Sequence, residues 1–299
     1  MNVAPIILFT YNRPLHTKKT VEALQNNTLS KHSHLFIFSD APRNEKDWEK
    51  VEEVRNYLNT ISGFKDVTII KRDHNYGLGN NIIEGVSQII NECGKVIIME
   101  DDLLSSPFFL EFMNKGLDVY ENNEDVISIH GYLYPVNTQL PETFFMRNAD
   151  CLGWATWKRG WNLFERDGTV LLKRLNESNQ QKRFDYDNSY PYTNMLTDFV
   201  EGKNNSWAIR WYASAFLNNK MTLYPGRSLI FHAGGDGTGT NTGFDNHLDV
   251  ALSETPIQVN PIPVEQNPDA YYAFVQFYTR MINPSILYRV KRKFKKIFH

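Results

Sequence analysis

The sequence predicts an α/β fold: a mostly parallel central sheet flanked by helices. Three observations carry that reading. Over the first hundred residues short apolar runs alternate with amphipathic segments, the runs are of strand length, and each ends in polar residues. Strand–helix repeats of this length imply crossover connections and a sheet covered on both faces.

The elements follow in order. "PIILF" (Pro5–Phe9) reads as a buried strand and "HTKKTVEALQN" after it as a helix. "HLFIFSD" (His34–Asp40) is a second strand, and "EKDWEKVEEVRNYLNTI" a charged amphipathic helix. "DVTIIKR" (Asp66–Arg72) is a third strand. Leu78, Ile82, Ile83, Val86, Ile89, Ile90 and Cys93 then recur at the spacing of one helix face. "KVIIME" (Lys95–Glu100) is the fourth strand. Beyond about Ile129 the pattern loosens into the tryptophan-rich "NADCLGWATWKRGWNLF", a helix and strand in "NNSWAIRWYASAFLNNKMTLYP", and a strand with a glycine-rich loop in "SLIFHAGGDGTGTNTGFDNHL".

Composition narrows the class. A 41% hydrophobic and 13% aromatic content supports a packed core, and a net charge of −2 gives a nucleic-acid role no electrostatic support. Cys93 and Cys151 lack ligand-like spacing and suit a reducing compartment. "MNVAPIILFTYNRP" has neither a basic n-region nor a long apolar stretch, so no signal peptide is expected. No apolar run reaches the roughly 18 residues of a spanning helix. These readings point to a cytoplasmic protein.

In parallel sheets ligands gather beyond the carboxyl ends of the strands. Those ends read "TYNR" (Thr10–Arg13), Asp40, "RDHNYG" (Arg72–Gly77) and "EDD" (Glu100–Asp102), and all four should share one edge. Three adjacent carboxylates repel one another, so a cation is the natural partner. Mg²⁺ or Mn²⁺ takes one or two carboxylates together with phosphate oxygens and water. If the strand alternation continued, Glu100 and Asp102 would face one way and Asp101 the other. The bland alternative is a helix cap by Asp101 or Asp102, with Ser105 or Ser106 as rivals. His232, ending a strand, is a candidate third ligand or diphosphate contact, and His74 a candidate nucleotide contact. Among the tryptophans, Trp154 and Trp207 are expected to approach the site.

"VIIMEDDLLSSPFFLEFMNKGLDVYENNEDVISIHGY" resembles the metal-binding segment of GT-A glycosyltransferases, which have a Rossmann-like fold. The closest similarity is to the N-acetylglucosaminyltransferase I type, among bacterial family 2-like enzymes. "FTYNR" resembles that family's first-strand end, "IFSD" its second, and "DCLGW" a segment beside the donor sugar. "SWAIRW" holds the place of a WDDW-like segment, and "DGTGTNTGFDNHL" resembles a loop that orders over the donor. The matches run in order over roughly residues 5–250.

The resemblance implies a UDP-sugar donor, Mn²⁺ or Mg²⁺ as cofactor and an inverting transfer to a hydroxyl. The acceptor would be a glycan or lipid-linked oligosaccharide in surface-polysaccharide assembly. It implies Asp102 as metal ligand, with Asp101 or His232 possible. Donor contacts would come from Thr10, Asn12, Arg13, Asp40, His74, Glu100, Asp101, Leu152, Gly153, Trp154 and Trp207. One catalytic domain is expected over 1–283, with a nucleotide-binding half to about 130 and an acceptor-side half from about 131. One departure matters: where the family has a catalytic aspartate after a tryptophan, this chain has Ala208. Asp198, Glu201 and Asp236 are the candidate bases. A sugar nucleotidyltransferase and a non-catalytic nucleotide-sugar binder are the alternatives.

Residues 284–299 carry Arg289, Lys291, Arg292, Lys293, Lys295 and Lys296 and no acid. Ile286, Leu287, Val290, Phe294, Ile297 and Phe298 fall on one helical face. That is the form of an amphipathic helix on an anionic membrane surface, here the inner face of the cell membrane.

Overall fold

The computed structural model describes residues 3–237 and 247–282. The basic tail and most of the glycine-rich loop, on which the membrane-helix and donor-loop expectations fall, lie outside the described residues.

The first part alternates as its sequence dictates: β1 (Ile6–Thr10), α1 (Pro14–Gln25), β2 (His34–Ser39), α2 (Glu45–Leu58), β3 (Asp66–Lys71), α3 (Leu78–Cys93) and β4 (Lys95–Glu100). A short β5 (Leu103–Ser105) and α4 (Phe109–Val119) follow. Every residue of β1 is buried, as are Lys95 to Met99 of β4, because helices cover both faces. The helix boundaries obey local chemistry. Pro14 starts α1 at its first position, Asn44 Oδ1 accepts from Lys46 N to cap α2, and Gly94 closes α3 in the left-handed region at φ +78°. Gly85 lets α3 lie close on the sheet: a Cβ there would come within 2.8 Å of the Phe9 ring.

The second part supplies β6 (Val126–His130), β7 (Thr143–Met146), β8 (Trp154–Trp157), α5 (Lys158–Trp161), α6 (Gly168–Ser178), α7 (Gln181–Phe184), α8 (Tyr192–Val200) and α9 (Trp207–Leu217). It ends with β9 (Met221–Pro225), β10 (Ile230–His232) and α10 (Pro268–Ile282). Among the described residues, no helix is long and apolar enough to cross a membrane.

The main sheet has eight strands in the order β3-β2-β1-β4-β8-β6-β9-β7. β1 to β4 pair in parallel, and β8 joins β4 antiparallel with Ile98 opposite Trp154. The expected α/β fold with a mostly parallel sheet is therefore what forms. The larger core cluster runs from Ala4 to Tyr278 and draws side chains from both parts of the chain. A second cluster packs α3 and α9 against the other side of the sheet.

Candidate functional site

Parallel pairing of β1 to β4 brings the four polar strand ends to one rim. The acidic end departs from simple alternation. β4 stops at Glu100, and Asp101–Asp102 form a turn before the chain re-enters as β5. Asp101 and Asp102 consequently face the same guanidinium rather than opposite sides. Arg13 Nη2 hydrogen-bonds Asp101 Oδ1, and Arg13 Nη1 lies 3.0 Å from Asp102 Oδ2. Thr20 Oγ1 donates to the Asp101 carbonyl at 2.8 Å, which ties the turn to α1. Neither aspartate caps α4, which has no side-chain cap; Ser106 Oγ accepts from Phe108 N just ahead of it. Much of the cation that makes three acids tolerable is supplied from within, by Arg13.

His232 reaches the same turn along a two-stranded ribbon. β10 pairs antiparallel with β5, His232 opposite Leu103, and Ala233 N donates to the Asp102 carbonyl at 2.8 Å. His232 Nε2 then stands 3.5 Å from Asp102 Oδ2. Burial alone would raise Asp102, but the His232 hydrogen bond and the Arg13 charge overcome it and hold the carboxyl at about 2. Burial pushes Asp101 up to about 6 against the pull of Arg13. Half-buried Glu100 rises to about 8, through burial first and then the charges of Asp102 and Asp101. The rim therefore holds Asp102 firmly ionised, Asp101 raised but paired with Arg13, and Glu100 as the acid raised furthest toward keeping its proton.

The donor set fits a hard divalent ion in part. Asp102 Oδ2 and His232 Nε2 converge, and Gly234 leaves the space before them open: a Cβ at Gly234 would sit 2.3 Å from the first atom and 2.7 Å from the second. Among the described residues no group of three or more His, Cys, Asp or Glu forms a closed metal cage. An ion here would take its remaining ligands from a bound diphosphate and water, the usual arrangement for Mg²⁺ and Mn²⁺.

The other strand ends build a cleft wall. The Asp40 carboxylate accepts from Ala41 N, Tyr76 N, Gly77 N and Asn75 Nδ2, at 2.9, 2.8, 3.0 and 3.2 Å. Four donors use the acceptor capacity of two carboxylate oxygens. In this arrangement Asp40 shapes the pocket by ordering the 75–77 turn rather than by reaching a base. Gly77 there has φ +69°. Asn12 Nδ2 and Tyr11 Oη both bind Asp47, at 2.8 and 2.9 Å. The Thr10 hydroxyl is buried at the rim with no hydrogen-bond partner. His74 is well exposed, 2.7 Å from Asp73 and against the Tyr76 ring. Arg72, at the third of the expected strand ends, lies on the Tyr76 ring at 4.3 Å and stiffens the same wall.

Beside the donor rim the chain runs into β8. Gly153 adopts φ +69°, and a Cβ there would approach Ile230 Cγ1 to 2.6 Å, so only glycine fits against β10. Leu152 precedes it at the core edge. The expectation that Trp154 and Trp207 would face the ligand is corrected: both are buried. Their rings stack at 5.6 Å between the sheet and α9, with Trp161 and Trp211 completing the cluster. Indoles bury too much apolar area to be left at the rim when a helix covers them.

The candidate bases are placed as follows. Asp198 lies 3.5 Å from Lys203 Nζ, and Glu201 also pairs with Lys203, all three exposed. Asp236 binds His16 Nε2 at 3.1 Å. A cavity of about 160 Å³ opens instead beside Ala208, with Asp150, Cys151 and four tyrosines in its wall. Burial raises the Cys151 thiol well above its ordinary range, and the charges of Asp150, Glu100 and Asp102 add to that rise. Cys151 thus lines this cavity within electrostatic reach of the acidic rim. Asp150 was missed in the sequence because only the fold brings residues 148–151 against 186–212.

Fold and rim define an α/β protein that gathers its ligand-facing groups at the carboxyl ends of parallel strands. The sequence model for glycosyl transferase family 2 matches residues 6–168, more than half of the chain, and the chain belongs to that family. No curated protein sequence matches it. Similar solved structures include the mannosyltransferase PcManGT from Pyrobaculum calidifontis in complex with GDP-Man and Mn²⁺. That one is 13% identical, covers 57% of this chain and 46% of its own, and has a TM-score of 0.39. S. aureus TarS is 13% identical over 79% of this chain and 37% of its own, at a TM-score of 0.44. A UDP-glucose pyrophosphorylase complexed with UDP-glucose is 11% identical over 74% and 90%, at 0.38. The chain thus spans less than half the length of the first two.

Proposed function

We propose that the chain is a metal-dependent glycosyltransferase of the N-acetylglucosaminyltransferase I type, moving a sugar from a UDP-sugar to a glycan or lipid-linked hydroxyl with inversion. Family membership supports the glycosyltransferase class. The observation that carries the metal is the convergence of Asp102 Oδ2 and His232 Nε2, 3.5 Å apart before the opening left by Gly234. Asp102, fully ionised, would hold Mn²⁺ or Mg²⁺ with His232. When bound, the ion offsets the negative charge that develops on the departing diphosphate.

The protein's own groups do the rest. Arg13 adds a fixed positive charge at the same rim, and its hold on Asp101 keeps both aspartates in register with the end of β1. Asp40 and Arg72 stiffen the 75–77 turn as one wall of the donor cleft. The same reading places the protein in the cytoplasm, at the inner face of the membrane through residues 284–299, in surface-polysaccharide assembly. Deleting residues after Ile286 should then abolish binding to anionic liposomes.

The decisive test is a thermal-shift panel of nucleoside diphosphate sugars with and without Mn²⁺. Stabilisation that needs Mn²⁺ and disappears in Asp102→Ala is expected. Equal stabilisation in that variant, or without metal, would refute the assignment.

A further inference from the structure

Ala208 leaves the chemistry without its expected base, and the structure offers another carboxylate in the same cavity. We propose that Asp150 is the general base of sugar transfer and that the tyrosine-lined cavity beside it seats the acceptor. This rests on the glycosyltransferase reading above.

The cavity joins Ala208 on α9 to Asp150 just before β8, and Asp150 is its one carboxylate among the described residues. At about 160 Å³ it has some ten times the room that a single water requires. Tyr186, Tyr190, Tyr192 and Tyr212 line it, and an aromatic wall suits the apolar C–H surface of a pyranose. Its position is right for transfer. Trp154 pairs with Ile98, so the residues before β8 run alongside the end of β4, and Cys151 in the cavity wall feels the charges of Glu100 and Asp102 as well as that of Asp150.

The side chain is held and still available. Tyr134 Oη donates to Asp150 Oδ2 at 2.5 Å, and Cys151 N donates to Oδ1 at 2.8 Å. Each oxygen keeps a lone pair. Asp198 and Glu201 are bound to a lysine and Asp236 to a histidine, whereas no lysine or arginine pairs with Asp150 among the described residues. Its one basic neighbour is His130, whose Nε2 lies 3.8 Å from Oδ2 without hydrogen-bonding it.

In the step, an Asp150 oxygen takes the proton of an acceptor hydroxyl while the hydroxyl oxygen bonds the anomeric carbon. The bond from that carbon to the phosphate oxygen breaks, and its electron pair leaves with the nucleoside diphosphate. The resulting carboxylic acid returns its proton to solvent.

The test uses the full chain with Mn²⁺ and a panel of UDP- and GDP-sugars, water serving as acceptor and released nucleoside diphosphate as the readout. Asp150→Asn should lower kcat on the order of 10² to 10⁴-fold while donor affinity, by thermal shift, stays within about twofold. Ala208→Asp introduced into Asp150→Asn should restore at least about tenfold, because it returns a carboxylate to the same cavity. Wild-type kcat in Asp150→Asn would overturn the proposal. So would a loss that accompanies a lowered melting temperature and is not rescued by Ala208→Asp, since that is a structural role. If the wild type binds donors but releases no diphosphate, the base assignment falls. If it binds none, the function proposed above falls first and is recognised by that failure.

Discussion

His130 makes a prediction whose size can be worked through. It ends β6 fully buried, and neither ring nitrogen has a hydrogen-bond partner. Burial lowers its pKa to about 4, with Asp150 pulling weakly the other way. In the unfolded chain the ring takes a proton near the ordinary value of about 6.5. The native state therefore excludes a proton that the unfolded state binds, so this residue's contribution to stability is whole above about pH 6.5 and drains away as pH falls toward 4. At ~1.36 kcal/mol per pH unit the full gap is about 3 kcal/mol, and at pH 5 about 2 kcal/mol of it is gone. The perturbation is His130→Phe, which keeps an aromatic ring against Tyr132 and Tyr224 and gives up no hydrogen bond. Urea unfolding, followed by tryptophan fluorescence at pH 7.5 and pH 5, is the assay. Carboxylates titrate in both proteins, so the difference between their two losses isolates the histidine. Wild type should lose about 2 kcal/mol more than the variant, a midpoint displacement of ~0.7 M at a slope near 3 kcal/mol/M. Equal losses would refute the reasoning, because a buried neutral imidazole must cost stability once the unfolded state is protonated.

Other substitutions test the rim. Gly234→Ala should weaken Mn²⁺-dependent donor binding at least about tenfold, or ~1.4 kcal/mol by Mn²⁺ titration in thermal shift, because its Cβ would crowd Asp102 and His232. Asp40→Asn replaces two accepting oxygens by one and should leave backbone N–H groups of the 75–77 turn without partners. A loss of about 1–3 kcal/mol is expected, with faster hydrogen exchange at Tyr76 and Gly77. Gly153→Ala should cost about 2–4 kcal/mol by chemical unfolding, from positive-φ strain and the contact with Ile230. Ile230→Ala should recover part of that cost in the double variant, and independent additive losses would count against the packing described.

What the sequence disclosed and what it hid divide along physical lines. Strand and helix periods are local, so the elements from Ile6 to Glu100 were readable from apolar spacing, and parallel pairing then placed Arg13, Asp40, Arg72 and Glu100 on one rim. Side-chain direction after a strand ends is not local. The turn at Asp101–Asp102 broke the alternation that would have separated those two carboxylates. Partner choice was equally hidden: nothing in "TYNR" says that Arg13 will bind the acids 88 residues later, or that Asp40 will be used up by backbone donors. Trp154 was misjudged because residue type alone cannot tell a stacking platform from core; its neighbours on α9 decide. Asp150 gave no signal by spacing, since its cavity is shared with residues some 40 to 60 positions away.

The β5–β10 ribbon has a further consequence for how this protein can vary. It is only three residue pairs long, yet with the Ala233–Asp102 backbone bond at its end it sets the distance between Asp102 and His232. Slipping it by one position would carry the imidazole about 3.3 Å along the strand and turn it to the opposite side. An insertion or deletion between Ile230 and Gly234 would therefore break the metal-facing pair, since that stretch carries the ribbon register, the Ala233 tie to Asp102 and the opening at Gly234.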